Sequence, residues 1–326
     1  MGDLLVNIKN LNITFKTFAG EISPVRDVSF QLQKGEILGI VGESGSGKSI
    51  TASALMGLLP KGKTIITANT FEVMGENCLG DTEEQWKSIR GRKVAMIFQD
   101  PMTALNPILS IETQIREVLD LAKGKSSYEE VVALLRQVGI ANPESRAKQY
   151  PHELSGGMRQ RVIIAMALAG EADLLLADEP TTALDITTEA QILKLLQKLC
   201  KERHMGMIFI SHNLRVVAQL CDRVMVMYSG KKVEAASVFT IFQNPQHPYT
   251  KALLASIPDG KGKGELVAIE GQPPDLNQLP TGCVFYPRCN TAMQVCANQE
   301  PPMIDVEVST GNSQIRCWLP IKGGVL

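Results

Sequence analysis

Residues 42–49 read Gly-Glu-Ser-Gly-Ser-Gly-Lys-Ser, which is the spacing of a phosphate-binding loop. Glycines let the backbone turn so tightly that successive N–H groups point at phosphate oxygens, and a following helix adds the positive end of its dipole. In this pattern Lys48 reaches the β- and γ-phosphates, and the Ser49 hydroxyl binds Mg²⁺. An apolar run at 36–41 predicts a strand before the loop, and residues 49–56 can continue as a helix. The residues expected to bind nucleotide here are Gly42, Ser44, Gly45, Ser46, Gly47, Lys48 and Ser49.

Two acids, Asp178 and Glu179, directly follow the apolar run 174–177. Doubly wound sheets bind their ligands at the carboxyl ends of strands, where these acids would lie. We expect Asp178 to hold Mg²⁺, directly or through water, and Glu179 to accept a proton from the water that attacks the γ-phosphate. The alternative for both acids is a solvated strand end, and the phosphate loop elsewhere in the chain favours the catalytic interpretation.

Residues 154–158, Leu-Ser-Gly-Gly-Met, lie between these two elements. The three elements in this order resemble the ATPase subunit of ATP-binding-cassette (ABC) transporters, over essentially the whole chain. In that family this signature contacts ATP held by a partner subunit. Ser155, Gly156 and Gly157 would begin a helix with exposed N–H groups, and the two glycines have no side chain to block a γ-phosphate. The resemblance implies that a lone subunit holds only half of each active site.

Further positions match the family in the same order. Gln99 resembles the Q-loop glutamine, which senses Mg²⁺ and the attacking water and links to the transport domain. Residues 183–185 resemble the D-loop, with Asp185 at its end, and His212 resembles the switch histidine that donates to the γ-phosphate. An ordinary strand-end amide and a strand-end histidine are the alternatives for Gln99 and His212. The family usually has Asp after the histidine, whereas this chain has Asn213, so the hydrogen-bonding partner at that position is open.

Phe15 falls where the family places an aromatic ring that stacks on adenine. From the residues alone, a Phe after alternating apolar positions is more typical of a packed strand residue. The resemblance favours adenine stacking, with Phe18 as a competitor.

The composition limits the classes of protein to which this chain can belong. The 326 residues are 44% hydrophobic with a net charge of −1, so the chain can bury a full core and lacks the basic footprint of a nucleic-acid-binding protein. Apolar stretches such as 162–169 are shorter than the ~20 residues that span a bilayer. The N-terminus has no basic segment followed by an apolar one, so no signal peptide is expected. We therefore expect a cytoplasmic protein that attaches to the membrane through partners.

The pattern along the chain predicts an α/β fold. Alternating strands with helices from the phosphate loop onward indicate a largely parallel sheet, after short strands in residues 1–35. Residues from about 108 to 150 have a helical pattern, with a capping box at 126–129. The resemblance implies a P-loop NTPase cassette with a RecA-like core, an antiparallel β-subdomain and an α-helical subdomain at about 108–165. We expect the cassette at 1–240 and a small cysteine-rich C-terminal extension at 241–326, with a flexible linker at 260–264.

Two segments of the tail, 244–250 and 279–289, resemble the di- and oligopeptide (peptide/nickel) importer subfamily, and so does the segment 99–107. The tail is therefore the part of the sequence that indicates the class of substrate.

Four of the seven cysteines, Cys283, Cys289, Cys296 and Cys317, fall in this tail, whereas Cys78, Cys200 and Cys221 are scattered. A reducing cytoplasm argues against disulfides and favours metal binding. The gaps of five, six and twenty residues lack the close pair usual for zinc. Four thiolates suit a [4Fe–4S] cluster, and members of the resembled subfamily carry one. We expect such a cluster as a structural staple, with zinc and unligated thiols as the alternatives.

The function implied is an ATP-hydrolysing subunit that powers import of di- or oligopeptides, with ATP and Mg²⁺ as cofactors. The expected partners are a second, related cassette, two membrane permease subunits and, indirectly, an extracytoplasmic solute-binding protein. Such a subunit would sit on the cytoplasmic side of the cell membrane. A nickel or metallophore importer is the alternative at the level of substrate. A soluble cassette protein acting on nucleic acid or ribosomes is the alternative class, and a redox protein would leave the ATP machinery unexplained.

Overall fold

A computed structural model describes residues 3–18, 20–80, 82–99, 104–182, 184–257 and 269–321. The predicted linker at 260–264, Ala183 of the D-loop and residues 100–103 lie outside the described residues.

The described chain alternates strands and helices, as the pattern predicted. The strands are β1 (Leu4–Thr17), β2 (Gly20–Gln33), β3 (Ile37–Val41), β4 (Thr64–Thr67), β5 (Thr70–Val73), β6 (Glu76–Asn77), β7 (Val94–Ile97), β8 (Leu174–Asp178), β9 (Gly206–Ile210), β10 (Arg223–Tyr228), β11 (Lys231–Ser237), β12 (Met303–Val308) and β13 (Gly311–Arg316). The helices are α1 (Lys48–Leu55), α2 (Glu83–Ile89), α3 (Ile111–Lys123), α4 (Tyr128–Gln137), α5 (Pro143–Ala147), α6 (Gly156–Ala169), α7 (Ile186–Arg203), α8 (Leu214–Leu220), α9 (Val238–Gln243), α10 (Pro248–Ala255) and α11 (Gln294–Asn298). In the described part of the chain, no helix is both long and apolar enough to cross a membrane.

The strands form two sheets. In the first, β1 pairs antiparallel with β2, β4 and β5, and β6 pairs with β5. The second sheet has the order β12-β13-β11-β10-β3-β9-β8-β7, and its strands from β10 to β7 are all parallel neighbours. The prediction of a largely parallel central sheet is confirmed.

Strand β3 is buried on both faces of the central sheet. Ile37 and Val41 pack into one hydrophobic cluster, whereas Leu38 and Ile40 pack into the other. A strand covered on both sides must be apolar at every position, which is why residues 37–41 read as a continuous apolar run. The phosphate loop leaves the carboxyl end of this strand.

Helices α3 to α6 occupy the region where the pattern predicted helices. Val131, Leu135 and Val138 are buried in the larger hydrophobic cluster, as their helical spacing indicated. The capping box lies one residue later than predicted: the Ser127 hydroxyl accepts from the backbone N–H of Glu130, whose side chain accepts from the N–H of Ser127. Ser126 instead donates its hydroxyl to Asp120 across 2.6 Å.

The tail contributes two strands to the central sheet. β13 pairs antiparallel with β11, and β12 pairs with β13 over six residue pairs from Met303↔Arg316 to Val308↔Gly311. The tail is thus joined to the cassette by backbone hydrogen bonds as well as by side chains.

Candidate active site

The phosphate loop is shaped by two glycines that no other residue could replace. Gly42 and Gly47 have φ values of +152° and +98°, in the left-handed region. A Cβ on Gly42 would lie 2.1 Å from the Met227 carbonyl oxygen, and one on Gly47 would lie 2.4 Å from the Pro24 carbonyl oxygen. Both close approaches fix the path of the loop backbone.

Lys48, the first residue of α1, folds back over this loop. Its Nζ donates to the carbonyl oxygens of Gly42 at 2.8 Å and Glu43 at 2.9 Å, and to the Ser46 hydroxyl at 3.3 Å. Burial lowers the pKa of this ammonium, against the opposing charges of Glu179, Asp178 and Glu43. The loop therefore holds a desolvated cation among backbone groups, which is the environment an anionic phosphate chain requires.

Ser49 and Asp178 bring the phosphate loop and the end of β8 together. The Ser49 hydroxyl donates to Asp178 Oδ1 across 3.0 Å. Burial raises the pKa of Asp178, with the neighbouring Glu179 as a further cause. A hydroxyl and a buried carboxylate this close are hard oxygen ligands, so the pair fits Mg²⁺.

Three side chains converge on one carboxylate oxygen of Glu179. Gln99 Nε2 donates to Oε2 at 3.3 Å, the Thr182 hydroxyl donates at 2.9 Å, and His212 Nδ1 lies at 3.1 Å. Glu179 itself has a φ of +46°, a conformation that L residues seldom adopt. The geometry holds this carboxylate at a defined point beside Asp178.

His212 and Asn213 follow β9. The His212 side chain is 60% exposed, so its ring can reach a bound ligand. The Asn213 side chain accepts from the N–H of Arg215 at 3.1 Å and caps α8. Because Asn and Asp are equally good N-caps, Asn213 performs the capping that the usual Asp could perform.

The signature residues begin α6, as expected. The Ser155 hydroxyl accepts from the N–H of Met158 at 3.3 Å and caps the helix. A Cβ on Gly157 would lie 2.6 Å from Thr188 Cγ2, so the start of α6 packs closely against the start of α7. Asp185 caps α7 by accepting from the N–H and the hydroxyl of Thr188. The structure thus brings the signature and the D-loop together.

Phe15 lies in β1 between Ile22 of β2 and Thr64 of β4, half-buried against the smaller hydrophobic cluster. Phe18 is fully exposed. The adenine-stacking role of Phe15 stays a prediction.

Sequence reasoning missed two residues of the tail that touch the phosphate loop. The Tyr249 hydroxyl accepts from the N–H of Glu43, and Arg288 forms an ion pair with the Glu43 carboxylate. In the sequence, the segment 279–289 is distinguished only by its cysteines and its family resemblance. Nothing in the local pattern indicated contacts across more than 200 residues.

The prediction of an iron–sulfur cluster or other metal site in the tail is wrong. Among the residues that the structure describes, no group of three or more His, Cys, Asp or Glu side chains could hold a metal ion. Cys283, Cys289, Cys296 and Cys317 line, with Phe285, a cavity of only about 20 Å³, room for about one water molecule. Burial raises the pKa of Cys283 to about 12 and of Cys317 to about 11, which favours the neutral thiol. The alternative of unligated thiols fits this geometry, because buried thiols pack as small apolar groups.

Comparison with known families gives two matches along the chain. A model of the ABC transporter family matches residues 25–182. A model of the C-terminal region of oligopeptide/dipeptide transporters matches residues 233–296.

Curated relatives match almost the whole chain. The oligopeptide transport ATP-binding protein OppD of Bacillus subtilis is 48% identical over 320 residues, which cover 97% of this chain and 88% of that protein. The dipeptide transport ATP-binding protein DppD of the same organism is 46% identical and covers 97% of this chain and 94% of its own length. OppD of Escherichia coli is 46% identical over 98% of this chain and 94% of its own length.

Solved structures share the fold. An ATP-binding cassette, solved as a dimer in a post-hydrolysis state with ADP and Pi, is 26% identical with a TM-score of 0.62 and covers 72% of this chain and 98% of its own. The chain cbiO1 from Clostridium perfringens, part of an ABC transporter complex, is 24% identical with a TM-score of 0.61 and covers 74% of this chain and 92% of its own.

Proposed function

Because this chain belongs to the ABC transporter family, among the oligopeptide and dipeptide transport ATP-binding proteins, we propose that it hydrolyses ATP to energise the import of di- and oligopeptides. One observation carries the proposal: Glu179, bound by Gln99, Thr182 and His212, lies directly beside the Ser49–Asp178 pair. A candidate base, a cation site and a phosphate loop therefore meet at one edge of the sheet.

The phosphate loop binds the triphosphate of ATP. Backbone N–H groups of the phosphate loop and of the start of α1 hold the phosphate oxygens, and Lys48 exchanges its carbonyl partners for the β- and γ-phosphates. Ser49 and Asp178 hold Mg²⁺, which neutralises charge on the phosphates when it is bound.

Glu179 accepts the proton of the water that attacks the γ-phosphate. Gln99 and Thr182 fix the carboxylate by donating to it, so its orientation is set before the reaction. His212 shares the same oxygen at 3.1 Å and is exposed enough to turn its donor toward a γ-phosphate. Each of these roles requires that the attacking water lie between Glu179 and the phosphate.

The second half of each site comes from a partner cassette. Ser155, Gly156 and Gly157 present the N-terminus of α6, whose N–H groups suit an anion. In this structure they pack against the start of α7, and the resemblance to the family supports completion of the ATP site of the other subunit. A dimeric cassette among the structural neighbours supports this arrangement. We propose that the partner is a related, non-identical chain.

Membrane attachment comes through two permease subunits, which Gln99 and its neighbours contact on the cytoplasmic side of the cell membrane. An extracytoplasmic solute-binding protein delivers the peptide to those permeases. The names of the relatives, which specify oligopeptide and dipeptide transport, support peptides over nickel or a metallophore. The near-zero net charge gives no support to a nucleic-acid-binding alternative.

Two further assignments belong to this proposal. Phe15 stacks on adenine, a role that its half-buried position in β1 supports. The chain divides into a nucleotide-binding cassette at 1–240 and a C-terminal extension at 241–326, and the separate family matches support this division.

Copurification from solubilised membranes tests the proposal. A tagged natural chain should bring down two polytopic membrane proteins and a second cassette. The purified assembly, in liposomes, should take up labelled dipeptide or oligopeptide only with ATP and a peptide-loaded binding protein. Recovery of ribosomes or nucleic acid instead, or uptake of nickel without uptake of peptide, would contradict it.

A further inference from the structure

Glu43, the second residue of the phosphate loop, is bound by the tail through its side chain. Arg288 Nη1 donates to Glu43 Oε2 at 2.7 Å, and Nη2 donates to Oε1 at 3.1 Å. The Arg288 side chain is 5% exposed and that of Glu43 is 25% exposed. A two-pronged, largely desolvated pair of this kind fixes both the position and the orientation of the carboxylate.

The backbone of Glu43 is held by the tail as well. Its N–H donates to the hydroxyl of Tyr249, in α10, across 2.9 Å, and its carbonyl oxygen accepts from Lys48 Nζ across 2.9 Å. One residue therefore connects Arg288 and Tyr249 to the lysine that binds phosphate.

Three packed aromatic rings hold the contact between the tail and the phosphate loop in place. The rings of Tyr228 and Tyr249 have centroids 4.6 Å apart, and Phe285 lies 5.2 Å and 5.4 Å from them. Arg288 lies over the Tyr228 ring at 5.8 Å and donates to its hydroxyl at 3.3 Å. Burial opposes the charge of Arg288, but the hydrogen bonds to Glu43 and Tyr228 outweigh it and raise its pKa.

The contact between Arg288 and Glu43 matters for ATP binding because Glu43 carries a negative charge. A carboxylate in a loop that binds a triphosphate repels the ligand, and the repulsion grows as water is excluded. A guanidinium that binds both carboxylate oxygens cancels this charge and holds it in place. Without Arg288, the loop would carry an uncompensated negative charge next to the phosphates.

We propose that Arg288 is a positioning residue for ATP binding: through Glu43, the C-terminal tail sets the geometry and charge of the phosphate loop. This inference rests on the proposed function, because it assumes that the loop binds ATP. Arg288 acts on the affinity for ATP rather than on the chemical step, since it touches neither Asp178 nor Glu179.

Binding of a fluorescent ATP analogue with Mg²⁺ to the full chain tests the proposal. Arg288→Gln should weaken binding about tenfold relative to the natural chain. The double variant E43Q/R288Q should regain most of that loss, because it removes the carboxylate that R288Q leaves uncompensated. In the assembled transporter, R288Q should raise KM for ATP by a similar factor and leave kcat within about twofold.

Arg316→Gln is the matched control. Arg316 also lies in the tail, is 8% exposed, and pairs with Asp27 at 2.7 Å and Glu300 at 3.0 Å, neither of which is a residue of the phosphate loop. R316Q should bind the analogue like the natural chain, with thermal melting as the check that each variant is folded.

The outcomes separate the two proposals. Binding by R288Q within twofold of the natural chain, or equal weakening in R316Q, would overturn the role of Arg288. A double variant no better than R288Q would also overturn it, since a merely structural role predicts that result. If R288Q does not fold, Arg288→Lys takes its place: it keeps the charge but loses the two-pronged contact with both Glu43 oxygens, so it should bind the analogue more weakly than the natural chain. Binding equal to that of the natural chain would overturn the positioning role of Arg288. Failure of the natural chain to bind ATP would instead remove the proposed function.

Discussion

The Ser49 hydroxyl donates to the Asp178 carboxylate across 3.0 Å, and this single bond joins the phosphate loop after β3 to the end of β8. β3 and β8 both belong to the parallel part of the central sheet, and their carboxyl ends lie at the same edge. The bond therefore marks the point where a cation would be shared by the protein and the phosphates.

Asp178→Asn should remove the dependence of ATP binding on Mg²⁺. The natural chain should bind ATP about tenfold more tightly with Mg²⁺ than with a chelator, because the carboxylate neutralises and orients the cation. The variant should show little difference between the two conditions in a nucleotide-binding titration. Lys34→Gln, which breaks an exposed ion pair with Asp173, is the control and should retain the difference. An undiminished Mg²⁺ effect in D178N would reject the assignment.

Glu179→Gln should lower the kcat of the assembled transporter by at least about a hundredfold while ATP binding persists, because the amide cannot accept the proton of the attacking water. The variant should also trap the closed cassette dimer with ATP, visible by size-exclusion chromatography. Thr182→Val removes one donor to Glu179 Oε2 and should reduce kcat by a smaller factor. Steady-state hydrolysis unchanged in E179Q would show that another group is the base.

Ser155→Asp should block hydrolysis without affecting the affinity of the isolated chain for ATP. Aspartate caps a helix as well as serine does, so the fold of α6 is kept, but its charge would repel the γ-phosphate held by the partner. Ser155→Asn keeps the cap without the charge and is the matched control. The measurement is the kcat for ATP hydrolysis of transporters assembled with S155D, with S155N and with the natural chain. Equal activity of S155D and S155N would contradict completion of the site in trans.

His247 should make the tail sensitive to acid. Burial lowers its pKa to about 3 from an ordinary 6.5, so the unfolded chain binds this proton more tightly than the folded chain. Stability is therefore lost as pH falls below about 6.5, by about 1 kcal/mol at pH 5.5. The measurement is the free energy of urea unfolding at pH 7.5 and pH 5.5.

His247→Asn is the control for that measurement. The His247 ring accepts from the N–H of Tyr249 at 3.0 Å, and an Asn oxygen can accept from the same N–H without titrating. Glu234, which accepts from the N–H of residue 247, is present in both proteins. The variant should lose less stability between the two pH values, and an identical loss would assign the effect to another group.

Much of the site was accessible from sequence because its parts are short and their chemistry is local. The turn at Gly42 and Gly47, the strand end at Asp178 and the cap at Ser155 each depend on residues within a few positions. Parallel strands then bring the phosphate loop and the end of β8 to one edge, so their positions after strands predict their meeting.

The contacts between the tail and the phosphate loop could not be predicted, because no local sequence pattern indicates them. Arg288 and Glu43 are 245 positions apart, and only the folded tail brings them together. The prediction from the cysteines was wrong for a different reason: four thiols in a short segment do lie around one cavity, but sequence spacing does not show whether buried thiols bind a metal or pack as small apolar groups. The cap at Ser127 differs from the expected Ser126 because either serine satisfies the pattern, and only packing of α4 chooses between them.

The pairing of β13 with β11 has a consequence for the solubility of the cassette. β12 and β13 cover the backbone of β11, which would otherwise form the border of the central sheet. A chain that ends before Met303 would present the N–H and C=O groups of β11 to solvent, and such an uncovered border recruits strands from other molecules. The last strands of the tail thus move the border of the sheet from β11 to β12, whose exposed charges at Asp305 and Glu307 disfavour pairing with other molecules.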